Sequence, residues 1–203
     1  DRAVEGYDAV LRQLSVLPGV RTSGAVNRMP LTGTWWTTGV RLADRPSSDD
    51  GERVSTYTRP ITPGYLEAMG TRVLRGRGVE RTDVAGGAKV VVVDAEFARR
   101  AWGDADPLGR ELLFDGAPNH APPRAKVVGV VESIHMDQLD AELRPTIYVP
   151  FSQAIEGHYL DWGMDVVVRG ATNGLEPEIR RIVHSVFPDA VVFEVAMMDE
   201  VVR

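Results

Sequence analysis

The residues that could do chemistry in this chain are few and poorly spaced for it. Four histidines stand at His120, His135, His158 and His184. No two of them have the helix or hairpin spacing of a metal site. His120 and His158 fall in predicted loops, and His184 follows apolar Val183 on a predicted helix. A lone histidine in such places is most often a surface residue or a satisfied one. Gly103-Asp104-Ala105-Asp106 brings two carboxylates together. Pro107 follows and no terminal Glu closes a calcium loop, so the stretch reads as a helix stop and a turn. Gly76-Arg77-Gly78 begins like a dinucleotide loop without its third glycine. There is neither a G-x-S-x-G elbow nor a P-loop. Glu132, Asp137, Asp140 and Glu142 lie close in sequence, and a solvated strand end accounts for them. The chain has 0 cysteines, which excludes disulfides, thiolate catalysis and Cys-based zinc sites. The expectation is no catalytic, cofactor-binding or metal-binding residue and no enzyme activity.

Binding is better served. Trp35 and Trp36 are adjacent on a predicted strand, so they point to opposite faces. Trp36 shares its face with Val40 and Leu42, the core side. Trp35 shares the other with Thr37 and Arg41, which makes Trp35 and Arg41 the candidate partner contact. A neighbouring loop covering Trp35 would cancel that reading. Trp162 goes with Met164, Val166 and Val168 and reads as core. Net charge is −6, from 23 basic and 29 acidic residues, and nucleic-acid binders carry a basic surplus instead. Arg75, Arg77 and Arg81 cluster, but Glu80 and Asp83 sit among them.

The elements that must position these residues follow from spacing. Val4, Tyr7, Leu11 and Leu14, continued by Leu17, mark one face of an amphipathic helix stopped by Pro18-Gly19. Val20 to Asn27 reads as a strand. Near the other end, Leu175, Ile179, Ile182 and Val186 mark a second helix, stopped by Pro188-Asp189, with Val191 to Val195 as the following strand. The two ends thus share a helix, proline-turn, strand pattern. It is either a weak internal repeat or a coincidence of two common helix patterns. Strands are expected over Trp35 to Leu42, Arg53 to Arg59, Lys89 to Val93, Glu111 to Phe114, Ala125 to Ser133, Thr146 to Val149 and Met164 to Arg169. Ala43 to Glu52 and Asp115 to Pro123 are loops, and Gly157 to Asp161 a connector. Thr62 and Pro63 have the residue types of an N-cap and first helical position, with Gly70 as the stop. Asp94 caps a further helix packed by Phe97, Ala98, Ala101 and Trp102 and ended by Gly103.

The series T-P-G-Y-L-x-x-M-G, L-R-G-R, V-V-V-D-x-x-F-A-R-R-x-W, D-P-L-G-R, V-V-G-V-V and R-P-T-I-Y-V-P-F, in that order, resembles the MacB-type periplasmic core domain of FtsX-like ABC transporter permeases. The resemblance covers nearly the whole chain. It implies an α+β fold in which a porter-like subdomain, residues 1–59 and 160–203, receives an inserted, mostly β Sabre-like subdomain, residues 60–159. It also implies a location on the periplasmic side of the bacterial inner membrane, with each chain end continuing into a transmembrane helix. Partners would be those flanking helices, an ABC ATPase and a periplasmic adaptor or a second permease copy. No cofactor is expected in this domain, ATP being bound by a separate nucleotide-binding domain or chain.

Length and composition agree with an ectodomain. The chain has 203 residues, 43% hydrophobic and 26% charged, which is ordinary for a globular protein. The longest purely apolar run is Val90 to Val93, against roughly 20 residues for a membrane helix. The start at Asp1-Arg2-Ala3 suggests a piece of a longer chain. The function expected is a domain that transmits transmembrane conformational change to cargo or a periplasmic partner. One alternative is a ligand-binding or sensor module with a pocket between subdomains. Another is a hydrolase whose site assembles only in three dimensions.

Overall fold

A computed structural model describes residues 2–33, 37–45, 53–114, 123–154, 163–171 and 174–198. Its centre is β5 (Val90–Asp94), whose five residues are all buried. Side chains alternate across a strand. Val91 and Val93 therefore enter one core cluster, with Phe97, Ala101 and Leu112, while Val92 enters another, with Tyr57, Tyr65 and Tyr148. A strand with a core on each face needs apolar residues on both, which is what four successive valines supply. β5 pairs in parallel with β7 (Arg124–Val131) and antiparallel with β8 (Thr146–Pro150).

The other strands are β1 (Val20–Val26), β2 (Thr38–Leu42), β3 (Val54–Ile61), β4 (Val73–Gly76), β6 (Glu111–Leu113) and β9 (Asp165–Gly170). Among the described residues these make one nine-stranded mixed sheet in the order β2-β6-β7-β5-β8-β3-β1-β9, with β4 attached to β7. The sheet crosses the boundaries expected at residues 59 and 60. β2 pairs with β6 and β3 pairs in parallel with β8, so both strands lie in the central body. The ends of the chain form a smaller unit beside it. Helix α1 (Arg2–Ser15) packs on α4 (Glu176–Val186), and β1 pairs along its length with β9. Val10, Leu11, Leu14 and Ile182 are the buried residues of this unit's own cluster.

Helix ends mostly follow the sequence signals. The Asp94 side chain accepts from the Phe97 N–H at 2.7 Å and caps α3 (Ala95–Trp102), which ends at Gly103. Two expectations fail. The helix after Thr62-Pro63 is only α2 (Tyr65–Met69), and Thr62 does not cap it. Gly64 takes a left-handed φ of 89° between them, and the Thr62 hydroxyl is turned to β1, where it accepts from the Ala25 N–H at 2.7 Å. A hydroxyl spent on a neighbouring strand cannot cap its own helix. Val191 to Val195 is also not a strand. Arg180 of α4 donates to the Val192 carbonyl at 3.0 Å, and the segment pairs with no strand among the described residues. Period-two patterning supplies a face, but a strand also needs a hydrogen-bonding neighbour.

Two motif glycines have a single cause. At Gly129, in the middle of β7, a Cβ would lie 1.8 Å from the Arg77 carbonyl oxygen. At Gly76 one would lie 2.2 Å from the Val128 carbonyl oxygen. The two backbones cross too closely for side chains, so V-V-G-V-V and R-G-R-G depend on each other.

Candidate functional site

The terminal unit (α1, β1, β9 and α4) meets the central body along a seam, where β1 pairs with β3 and packs on α2. At one end the backbones touch. A Cβ on Gly24 would sit 2.3 Å from the Tyr65 nitrogen, and one on Gly64 2.5 Å from the Ser23 carbonyl. Polar links continue the seam. The Arg169 Nε donates to the Ala68 carbonyl at 2.6 Å, and Asp165 accepts from the Met29 N–H at 2.7 Å. Burial pushes the Asp165 carboxyl up, against that hydrogen bond. Arg81 reaches from the body to Asp8 of α1 at 2.7 Å. Tyr7 of α1 meets Phe151 of the short 3-10 turn Phe151–Gln153 edge-on, with ring centroids 5.5 Å apart, and also Phe187 beyond α4. Between these contacts lies an open groove of about 210 Å³, lined by α1, β1, the Pro63-Gly64 turn and Arg81.

Beneath the seam is a buried polar group. Arg59 is 3% exposed, its guanidinium 4.9 Å from the centroid of the Tyr57 ring. The Tyr57 hydroxyl donates to Asp137 at 2.8 Å. The hydroxyls of Tyr65 and Tyr148 are buried without a hydrogen-bond partner among the described residues. Burial raises the pKa of both tyrosines and lowers that of Arg59. Phenols held neutral are poor bases, and no nucleophile sits among them. The Asp94 carboxyl is pushed up to about 6, burial being the largest cause, opposed by the Phe97 and Thr146 N–H groups. A carboxyl titrating near 6 suits acid-base work, but this one is 0% exposed and faces backbone donors. The sequence marked Asp94 as a helix cap and Asp137 as one of a run of solvated carboxylates, and gave no polar role to Arg59, Tyr57, Tyr65 or Tyr148. The one available signal was a charged residue inside the Tyr57 to Ile61 strand.

The sequence-predicted residues are scattered. Trp35, Trp36, Trp162, His120 and His158, like the loop cores at 46–52 and 115–122 and the connector at 157–161, lie outside the described residues. Arg41 is on β2 opposite Leu113, half-buried, its Nε without a hydrogen bond among the described residues. His135 and His184 each contact a backbone carbonyl at 3.1 Å, of Ala141 and Ala190. Asp106 pairs with Arg75 and accepts from the Leu108 N–H. Arg77 of the glycine turn forks onto Asp83 through two 2.8 Å bonds. Burial pushes Asp83 up, and the fork with the Glu80 N–H brings it below the usual carboxylate range. Glu132 is bound by Arg72, and Asp137 by Tyr57 and Arg144. Among the described residues no group of His, Asp and Glu is placed to hold a metal ion.

The arrangement is thus a small two-helix unit beside a strand-rich body, with polar links and a groove between them. A family model described as the MacB-like periplasmic core domain matches residues 7–182. The chain belongs to that family. MacB-like periplasmic core domains are extracytoplasmic parts of ABC transporter permeases. Among curated proteins, the "Probable syringafactin export ATP-binding/permease protein SyfD" of Pseudomonas syringae pv. syringae (strain B728a) is 29% identical over 102 residues. That alignment covers 50% of this chain and 14% of the relative's length. The fold is similar to the periplasmic region of MacB from Actinobacillus actinomycetemcomitans. The TM-score is 0.56 at 16% identity, over 89% of this chain and 72% of that one. It is equally similar to the extracellular domain of the noncanonic ABC-type transporter YknZ from Gram-positive bacteria. There the TM-score is 0.56 at 17% identity, over 88% of this chain and 82% of that one. No helix among the described residues is long and apolar enough to cross a membrane.

Proposed function

We propose that this MacB-like domain transmits conformational change from membrane helices to cargo or a periplasmic partner. The observation that carries the reading is the seam. The segments nearest both chain ends, α1 and α4, pack on each other around four buried residues among those described, and β1 joins them to the body through its pairing with β3, its packing on α2 and the polar links. A small unit joined in this way can shift as a rigid piece while the larger core stays intact. The helices attached at either end would supply the motion, and an ABC ATPase, binding ATP in its own domain or chain, would drive them. No cofactor would act in the domain itself, which would work mechanically rather than as an enzyme. Its place would be the periplasmic side of the inner membrane. The outward contact would be an adaptor or a second permease copy, with Trp35 and Arg41 as the proposed contact residues.

The test is to immobilise the seam in the complete transporter. Asp8→Cys and Arg81→Cys, bridged by a short bismaleimide, should stop transport and leave nucleotide binding intact. Each single variant should transport normally. Unchanged transport in the bridged protein would reject the mechanical role. The seam groove favours a second reading, a ligand-sensing module, since its lining comes from both bodies.

A further inference from the structure

We propose that the seam groove is a binding site for a soluble phosphate-type oxyanion. The groove measures about 210 Å³. Its polar lining is Ser15 of α1, Arg21, Thr22 and Ser23 of β1, and Arg81 of the body. Two of these residues carry guanidinium groups and three carry hydroxyls, of which the Ser15 hydroxyl donates to the Arg12 carbonyl at 2.8 Å. A guanidinium is a planar fork that pairs oxyanions through two bonds at once. The Thr22 and Ser23 hydroxyls offer the further donors that a phosphate needs and a two-oxygen carboxylate does not. Leu11 and Pro63 close the apolar remainder of the wall.

The charge around the groove is unbalanced. Asp8 gives one oxygen to Arg81 at 2.7 Å and the other to Arg12 at 3.0 Å, so a single carboxylate serves two arginines. Arg21 has no carboxylate within ion-pair distance among the described residues. Three arginines against one aspartate make a local positive surplus in a chain whose net charge is −6. The surplus lies where α1 and β1 face the body. A bound anion therefore ties the terminal unit to the Pro63-Gly64 turn and Arg81, and stabilises the closed seam by mass action. This site does not depend on the mechanical reading. Seam cross-linking tests motion, and anion titration tests the groove.

The experiment is a titration of the isotopically labelled domain with inorganic phosphate in a buffer of weakly interacting anions, followed by nuclear magnetic resonance. Saturable shifts are expected at Ser15, Arg21, Thr22, Ser23, Gly64 and Arg81. Arg21→Ala should weaken binding about tenfold. Its melting temperature without phosphate should be unchanged, because Arg21 is exposed. Arg99→Ala, on the far side of the body, should bind as the parent does. Several results would overturn the proposal. They are shifts spread over all exposed arginines, unaltered affinity in Arg21→Ala, or acetate binding as tightly as phosphate. Binding to phosphatidylglycerol vesicles without saturable binding of free phosphate would also overturn it, as it would assign the arginines to a lipid surface.

Discussion

Two strands with nearly the same residues behave in opposite ways. β5 reads V-V-V-V-D and every residue is buried, whereas β9 reads D-V-V-V-R-G and none is. β5 has a strand on each side and a core on each face. β9 stands at the end of the sheet with β1 as its one strand neighbour among the described residues. Position in the sheet, not composition, sets how much each valine contributes. The same contrast holds between the bodies that contain them. Among the described residues the central clusters have eleven and ten buried members, one of them Val26 of β1, and the terminal unit's own cluster has four. Local stability follows buried apolar contact, so the terminal unit is the part that opens at lower free energy. That is the part a transmitting domain would need to move.

Substitutions in the two cores test that contrast most severely. Phe97 is 0% exposed and packs edge-on against Trp102 with ring centroids 5.8 Å apart. Phe97→Ala should cost about 3–5 kcal/mol and lower protection from hydrogen exchange throughout the chain. Leu14, also 0% exposed, lies in the terminal cluster. Leu14→Ala removes fewer neighbours and should cost about 2–4 kcal/mol. Its lost protection should be confined to α1, α4, β1 and β9, with β5 and β7 still slow to exchange. Loss of protection in β5 and β7 to the same degree would mean that the chain unfolds as one unit, and the two-body picture would fail.

The sequence made these bodies partly visible. Leu11 and Leu14, and Ile179, Ile182 and Val186, lie on the apolar faces that their helical spacing predicted and meet in one cluster, which Val10, outside the predicted face, joins. The valine run of β5 marked a strand, and Asp94, Gly70 and Gly103 end or cap the helices expected of them. These signals are local, carried by residues within a few positions of each other. The seam was not legible because it is made across the chain. Gly24 meets Tyr65, Asp8 meets Arg81, and Met29 meets Asp165. Thr62 was misread because a strand 37 positions away takes the hydroxyl that would cap its helix. Tyr57 and Arg59 share a face of β3 by period-two spacing, but Tyr65 and Tyr148 come from α2 and β8, and no spacing rule joins those to them.

A smaller effect comes from pH at the junction of β5 and α3. The Asp94 carboxyl is raised from 3.8 to about 6, burial being the largest cause. A carboxyl raised on folding keeps its proton longer in the native state than in the unfolded chain. Its stabilising contribution is therefore complete below about pH 4, falls as pH rises, and is gone above about pH 6. The full swing is about 3 kcal/mol. Asp83, Glu96 and Glu132 are shifted downward and add the opposite slope, so the parent's net profile does not isolate Asp94. Asp94→Asn keeps a side-chain oxygen for the Phe97 N–H and removes the titration. Urea unfolding at pH 4.5 and pH 7 should show the variant gaining stability relative to the parent at the higher pH. An equal difference at both pH values would mean that Asp94 is not held protonated by burial.

The smallest effect is expected at the segment whose pattern promised most. Val191 and Phe193 are 71% and 93% exposed, and alternate as a strand would. In β5 such side chains hold the core together, but here they are exposed and, among the described residues, their segment pairs with no strand. Removing an exposed ring leaves the native contacts in place, so Phe193→Ser should change the unfolding free energy by less than about 0.5 kcal/mol. Chemical denaturation of the isolated domain measures this directly. A loss of several times that size would mean that the segment packs on the domain in solution, and the terminal unit would then be larger and more stable than its four-residue cluster indicates. A null result keeps the asymmetry between the bodies, because it confines the terminal unit's stability to the packing of α1, α4, β1 and β9.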